Sequence, residues 1–236
     1  MAVQKILPDP FNAIDAQGNE GGSNPVGFAN VTVTSKQAIM KSRTNSGVTV
    51  TRAASYHMFN VGVAYNPMTK ANFDLIYGFL LEKQASLKPF FVQLPQYSST
   101  NTTNRLDITN VAAIGETQLL LTSTHAALQV GALFNVVDTS GNPVNNHTKA
   151  YQIVRVEPAG NGNQHDDASV ATAANPTSGQ TRITFTPGLF KAVTTSEKVE
   201  IGKPKIQVLQ TGDTQQYQLN ADNLYSLSAK FEEACF

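Results

Sequence analysis

The clearest pattern of apolar and polar positions runs from Met58 to Tyr65. Phe59, Val61, Val63 and Tyr65 alternate with Asn60, Gly62 and Ala64. Period two puts the first set on one face of a β-strand, toward a core, and the smaller set on the other. Upstream, Val31–Thr34 and Val48–Thr51 are β-branched runs separated by the turn-forming Asn45-Ser46-Gly47. Downstream, the period changes. Phe73, Ile76, Leu80 and Leu87 recur at helical spacing, flanked by Leu75 and Phe79, with Lys70, Asp74, Glu82 and Lys83 elsewhere on the wheel. Thr69 stands at the N-cap, and Met68 and Phe73 have the spacing of a hydrophobic staple. The pattern predicts one amphipathic helix over about 70–86, laid on a sheet and stopped by Lys88-Pro89. Phe90–Leu94 then returns to strand.

Residues 96–104 are rich in Ser, Thr and Asn and read as a linker. A second β-rich block follows, with strands at 106–109, 117–121, 133–137, 150–156, 182–185 and 198–201, a turn at Asp138–Asn142, and a long Gly/Asn/Ala/Ser loop over 158–180. Three further strands close the chain: 205–210, 215–219 and 224–231. In the last, Tyr225, Leu227, Ala229 and Phe231 form the apolar face. The first 30 residues, with Pro8, Pro10, Pro25 and a Gly/Asn/Ser cluster, predict an irregular arm that is mobile alone and ordered by wrapping a neighbour. The fold class is mainly β. The expected domains are the arm (1–30), a split β-barrel or sandwich with the helix (31–95 and 205–236), and an inserted β-rich domain (105–204).

Composition sharpens this picture by exclusion. The 236 residues carry 17 Lys+Arg and 17 Asp+Glu, a formal net charge of zero, and only 14% charged residues. A neutral chain lacks the broad positive field of a non-specific nucleic-acid binder. A polar but uncharged surface is cheap to desolvate and suits lasting protein contact. The single Cys235 cannot form an internal disulfide or a cysteine zinc site. Met1–Pro10 has no signal-peptide core. No stretch approaches the roughly 18 apolar residues of a membrane span. The expectation is a soluble, cytosol-made protein with no membrane partner.

Candidate chemistry is sparse. His57, His125, His147 and His165 show no metal-ligand spacing. His165-Asp166-Asp167 lies in the long loop and reads as solvated polarity. Asp138–Asn142 lacks the alternating acids and closing Glu of a calcium loop. Gly160-Asn-Gly162 is too short for a dinucleotide fingerprint. Cys235 reads as an incidental thiol. Glu232 and Glu233 point to opposite strand faces, so they cannot act on one bond, and read as solvent-facing or interface charges. Phe59, Tyr65, Phe79, Phe90 and Phe91 read as core rather than as a ligand cage. No catalytic, cofactor-binding or metal residue is predicted, and the chain reads as a non-enzyme.

The order of several short segments carries a resemblance. Phe59-Asn-Val-Gly-Val-Ala-Tyr65, Pro67-Met-Thr69, the helix at Phe73–Leu80 and Pro89-Phe-Phe-Val-Gln-Leu-Pro95 come first. Gly115–Leu121, Leu128-Gln-Val-Gly131, Leu133–Val137, Tyr151–Val154, Thr181–Pro187 and Leu224–Ala234 follow. Together they resemble the distal tail proteins of tailed bacteriophages, over about 32–95, 115–192 and 206–236. Ala132 departs from the family's aspartate, and Gln84–Lys88 lacks its glycine. The resemblance implies a structural virion protein of the viral tail tip or baseplate, assembled in the bacterial host cytoplasm. Its β-barrel domain would form a homo-oligomeric ring of six copies, with three as the alternative. The ring would join the tail tube protein to the hub or baseplate, and DNA would pass through the lumen only as cargo. The second block and its loop also suit a different function, a β-sandwich module of the virion that recognises a receptor or glycan. A hydrolase acting through His165, Asp166 and Asp167 is a third alternative.

Overall fold

The computed structural model describes residues 5–17, 19, 21–22, 26–97, 104–122, 128–141, 147–159, 176–212 and 216–234. The fold is mainly β: two antiparallel sheets and one helix. The chain divides into two compact units, one over Met1–Phe91 and Val208–Ala234, the other over Val92–Gln207.

In the first unit, β1 (Phe28–Arg43) and β2 (Thr49–Tyr65) form a hairpin, followed by α1 (Lys70–Glu82) and β3 (Phe90–Gln93). The late strands β10 (Lys205–Gln210), β11 (Tyr217–Leu219) and β12 (Tyr225–Glu233) complete the sheet, in the order β1-β2-β12-β10-β3, with β11 on β12. The expected barrel is therefore open here: along this path β1 and β3 are end strands. Phe59, Val61, Val63 and Tyr65 are all buried, as their alternation requires. α1 covers that face with Phe73, Ile76, Phe79 and Leu80. Aromatic edges and faces join the two layers. Phe73 stacks on Tyr225 at 4.5 Å, and Phe90 meets Phe79 at 5.4 Å and Phe231 at 5.3 Å, both edge-on. Phe91, expected in the core, is only half-buried.

Four expectations for this unit are corrected. The two short runs at 31–34 and 48–51 are parts of strands of 16 and 17 residues. The helix stops at Glu82, because Gln84 and Ala85 adopt left-handed backbone angles (φ 53° and 56°), and Leu87 is exposed rather than in the stripe. Thr69 is the N-cap residue, but its side chain makes no capping bond. The N-terminal segment packs on its own body. Leu7 donates its N–H to Phe91 O at 2.7 Å, Phe91 returns the bond to Lys5 O at 2.8 Å, and Leu7, Ile14 and Val26 are buried. Burying those three side chains offsets the ordering entropy that kept the segment an expected free arm.

In the second unit, β4 (Asn104–Asp107), β5 (Gln118–Leu121), β6 (Leu133–Val137), β7 (Ala150–Pro158), β8 (Thr181–Thr186) and β9 (Lys198–Ile201) form one sheet, ordered β4-β9-β6-β7-β8-β5. The sheet curls until its ends meet at a single bridge, Ile108 to Leu121, where Thr122 donates to Asp107 O and Thr109 to Leu120 O. Inside lie Phe134, Tyr151, Phe185, Leu119, Val136 and Val199. Gly188 is required by close approach: a Cβ there would lie 2.5 Å from Gly115 O. The long 158–180 loop is the connection of the β7–β8 hairpin, and residues 160–175 of it lie outside the described set.

Candidate interaction surface

The hairpin β1–β2 outgrows its sheet. β12 pairs with β2 only from Asn60 to Ala64. Beyond that, β1 and β2 continue as a two-stranded ribbon to the turn at Thr44–Gly47. From Lys36 to Arg43 this is eight residues, about 26 Å at the rise of a β-strand. Gly47 makes the turn possible, since its φ of +83° disfavours any side chain. Thr44 fastens the turn, donating its N–H to Val48 O and accepting the Val48 N–H on Oγ1.

A bulge sets the ribbon apart from the sheet. Gln37 pairs with His57 and Ile39 with Ala53, so one residue on β1 faces three on β2. Such bulges bend a ribbon and increase its twist. His57 is buried at this junction, its Nε2 2.7 Å from Ser35 Oγ and its ring edge-on to Phe59. It anchors the junction.

The ribbon's surface is apolar and cationic on both faces. Ile39, Met40, Val48, Val50 and Tyr56 are 51–69% exposed. From the register, Ile39, Lys41 and Arg43 share one face, and Met40, Val50 and Arg52 the other. Lys36 lies nearer the body. No acidic residue occurs between Glu20 and Asp74, so these cations have no acidic neighbour within the ribbon. That gap is the sequence signal for the surface, and alternation alone does not find it.

No protein-family model matches this chain, and no curated protein matches it either.

The other candidate residues have structural places. His147 is buried, with Nε2 2.6 Å from Tyr151 Oη, and that hydroxyl accepts the Phe190 N–H at 3.0 Å. Burial, and then the charge of Lys191, lower the His147 pKa to about 4, so at neutral pH the ring is uncharged and shares one hydrogen bond with the tyrosine hydroxyl. Asp138 caps its own turn by accepting the Ser140 N–H. Glu232 is half-buried. Glu233, expected to face solvent or an interface, is buried and accepts the Phe59 N–H. His125, His165, Asp166, Asp167, Gly160–Gly162, Asn142 and Cys235 lie outside the described residues. Among the described residues there is no cluster of three His, Cys, Asp or Glu that could hold a metal. None of their helices is long and apolar enough to cross a membrane.

Proposed function

We propose that this chain is a structural subunit of a phage tail tip or baseplate that assembles with identical copies into a ring. The observation that carries this reading is the ribbon. It is two strands wide and exposes five large apolar side chains, and every described side chain from Ile39 to Arg52 is exposed. A two-stranded ribbon is marginal alone in water, and exposed apolar strands invite association. A neighbouring subunit would cover it, and closed symmetry would repeat the contact around the ring.

The ordered segments that resemble distal tail proteins support the same reading. So does the architecture of two β units with one helix. The second unit offers another apolar patch: Val111 and Phe190 are exposed beside the Ala112–Val193 bridge, and Ile114 is exposed one residue before the Gly115–Leu189 bond. In the proposed ring, this patch would serve the contacts to the tail tube or to the hub.

Mass photometry and electron microscopy of the purified full chain test the proposal. The expected result is closed particles at an integral multiple of 25.4 kDa that add to the end of tail tubes. A monomer that persists at high concentration and ignores tail tubes would overturn it.

A further inference from the structure

The ribbon's charge has a counterpart in its own unit. The two stretches that build the first unit hold nine acidic and nine basic residues. Four of the nine cations (Lys36, Lys41, Arg43 and Arg52) stand on the ribbon, so the rest of the unit sets nine acids against five cations. The unit is neutral in sum and polar in distribution. That suits a head-to-tail contact between copies, in which unlike surfaces meet.

The body also has a place to receive the ribbon. A groove of about 440 Å³ runs between α1 and the segment Ile14–Asn19. Leu75, Phe79 and Ile14 give it apolar lining, and Asp74 and Glu82 contribute carboxylates two helical turns apart, about 12 Å. Gly78 lines it as well, and a Cβ there would meet nothing within 4 Å. Asp74 is held by Lys70 at 2.7 Å and Glu82 accepts from Lys83 at 3.3 Å. The first pair is solvent-exposed on both sides and the Glu82 carboxylate is partly so. Pairs of this kind contribute little, so an incoming guanidinium competes for the carboxylates on even terms.

We propose that the ribbon is a docking arm for a second copy of this chain. It seats in the α1 groove of the next subunit, with Lys41 and Arg43 toward Asp74 and Glu82 and Ile39 over Leu75. This deepens the ring reading and rests on it. A protein surface fits the ribbon better than a polyanion does. Phosphates would satisfy the cations alone, whereas the groove offers the Ile39–Lys41–Arg43 face both carboxylates and apolar lining.

Three variants of the full chain test this, each checked by circular dichroism and thermal midpoint. The first is K41E/R43E on the ribbon. The second is Gly78→Phe, which fills the groove from a position with open space and improves helix propensity. The third combines the ribbon reversal with D74K/E82K. The first two should raise the concentration at which particles form by at least about 100-fold, as like-charge or blocked contacts do. The third should recover at least part of that loss. Wild-type rings with unchanged assembly of the first two variants would overturn the docking and leave the ring reading standing. A wild-type chain that never self-associates would instead be the failure of the ring reading. Tight, salt-dependent binding of duplex DNA by the wild type, lost in the ribbon reversal while ring assembly persists, would also overturn the docking.

Discussion

Glu233 Oε2 accepts the backbone N–H of Phe59 at 3.0 Å, joining positions 174 residues apart. Both residues are buried. The bond lies where β12 meets β2, one rung beyond the last strand pair, Glu232 with Asn60. A carboxylate thus continues the ladder where backbone pairing ends. Glu233→Ala would leave the Phe59 amide buried without this acceptor and should cost about 1–3 kcal/mol. Glu233→Gln, which keeps a carbonyl oxygen, should cost less. Urea unfolding of both variants measures the difference.

The burial of His147, with Lys191 nearby, makes stability depend on pH. The folded His147 pKa of about 4 lies below its ordinary value of 6.5. Below 6.5 the unfolded chain therefore binds a proton that the folded chain refuses. The contribution is complete above pH 6.5, falls as pH drops toward 4, and then levels off. It amounts to on the order of 3 kcal/mol. In His147→Gln, whose amide carbonyl can still accept from Tyr151, that slope should vanish. Denaturant midpoints from pH 7.5 to 4 provide the check.

Glu157 and Arg182 form a buried ion pair at 2.5 Å, with 3% and 0% exposure of their side chains. Arg155 lies 3.6 Å from the other carboxylate oxygen. Arg182→Met alone strands a buried charge and should cost about 3–5 kcal/mol. The double change E157L/R182M removes both charges and should recover most of that loss. A double-mutant cycle by thermal unfolding would show whether it does.

The N-terminal segment is fastened through Leu7, which is fully buried, and through Pro8 O, which accepts from Tyr65 Oη at 2.8 Å. Leu7→Ala should cost about 2–4 kcal/mol. Limited proteolysis should then cut within residues 5–22 faster than in the wild type. Tyr65 itself should not ionise before unfolding in an alkaline titration, because burial, and then the charge of Asp9, raise its pKa well above the ordinary value.

The ribbon should contribute almost nothing to the stability of a lone subunit. Replacing residues 38–56 with Asn-Gly, between the paired Gln37 and His57, should change unfolding free energy by no more than about 0.5 kcal/mol, while assembly is lost. Calorimetry and mass photometry on the same sample separate the two effects.

The sheet cores were legible because one face of each strand is buried. Phe59 to Tyr65 and Tyr225 to Phe231 alternate for that reason. The ribbon was harder to read. With both faces in water, Lys36–Arg43 has no period, and only the turn at Asn45–Gly47 and the lack of acidic residues mark it. The helix end was hidden as well, since Gln84 and Ala85 take backbone angles that glycine usually supplies. Glu233 reads as a surface charge because its partner is a backbone amide distant in sequence. The groove beside α1 is lined in part by Ile14, Ala16, Gln17 and Asn19, and composition suggested that these residues would lie elsewhere.

The interleaving of the two units has a consequence for biosynthesis. β12 sits in the middle of its sheet, between β2 and β10, yet it is made after every other strand of that sheet. The stretch from Val92 to Gln207 is continuous and can collapse while translation proceeds. The first unit must wait with Phe59, Val61 and Phe90 uncovered until β12 arrives, so a product truncated before Tyr225 would be incomplete at its centre rather than at its rim.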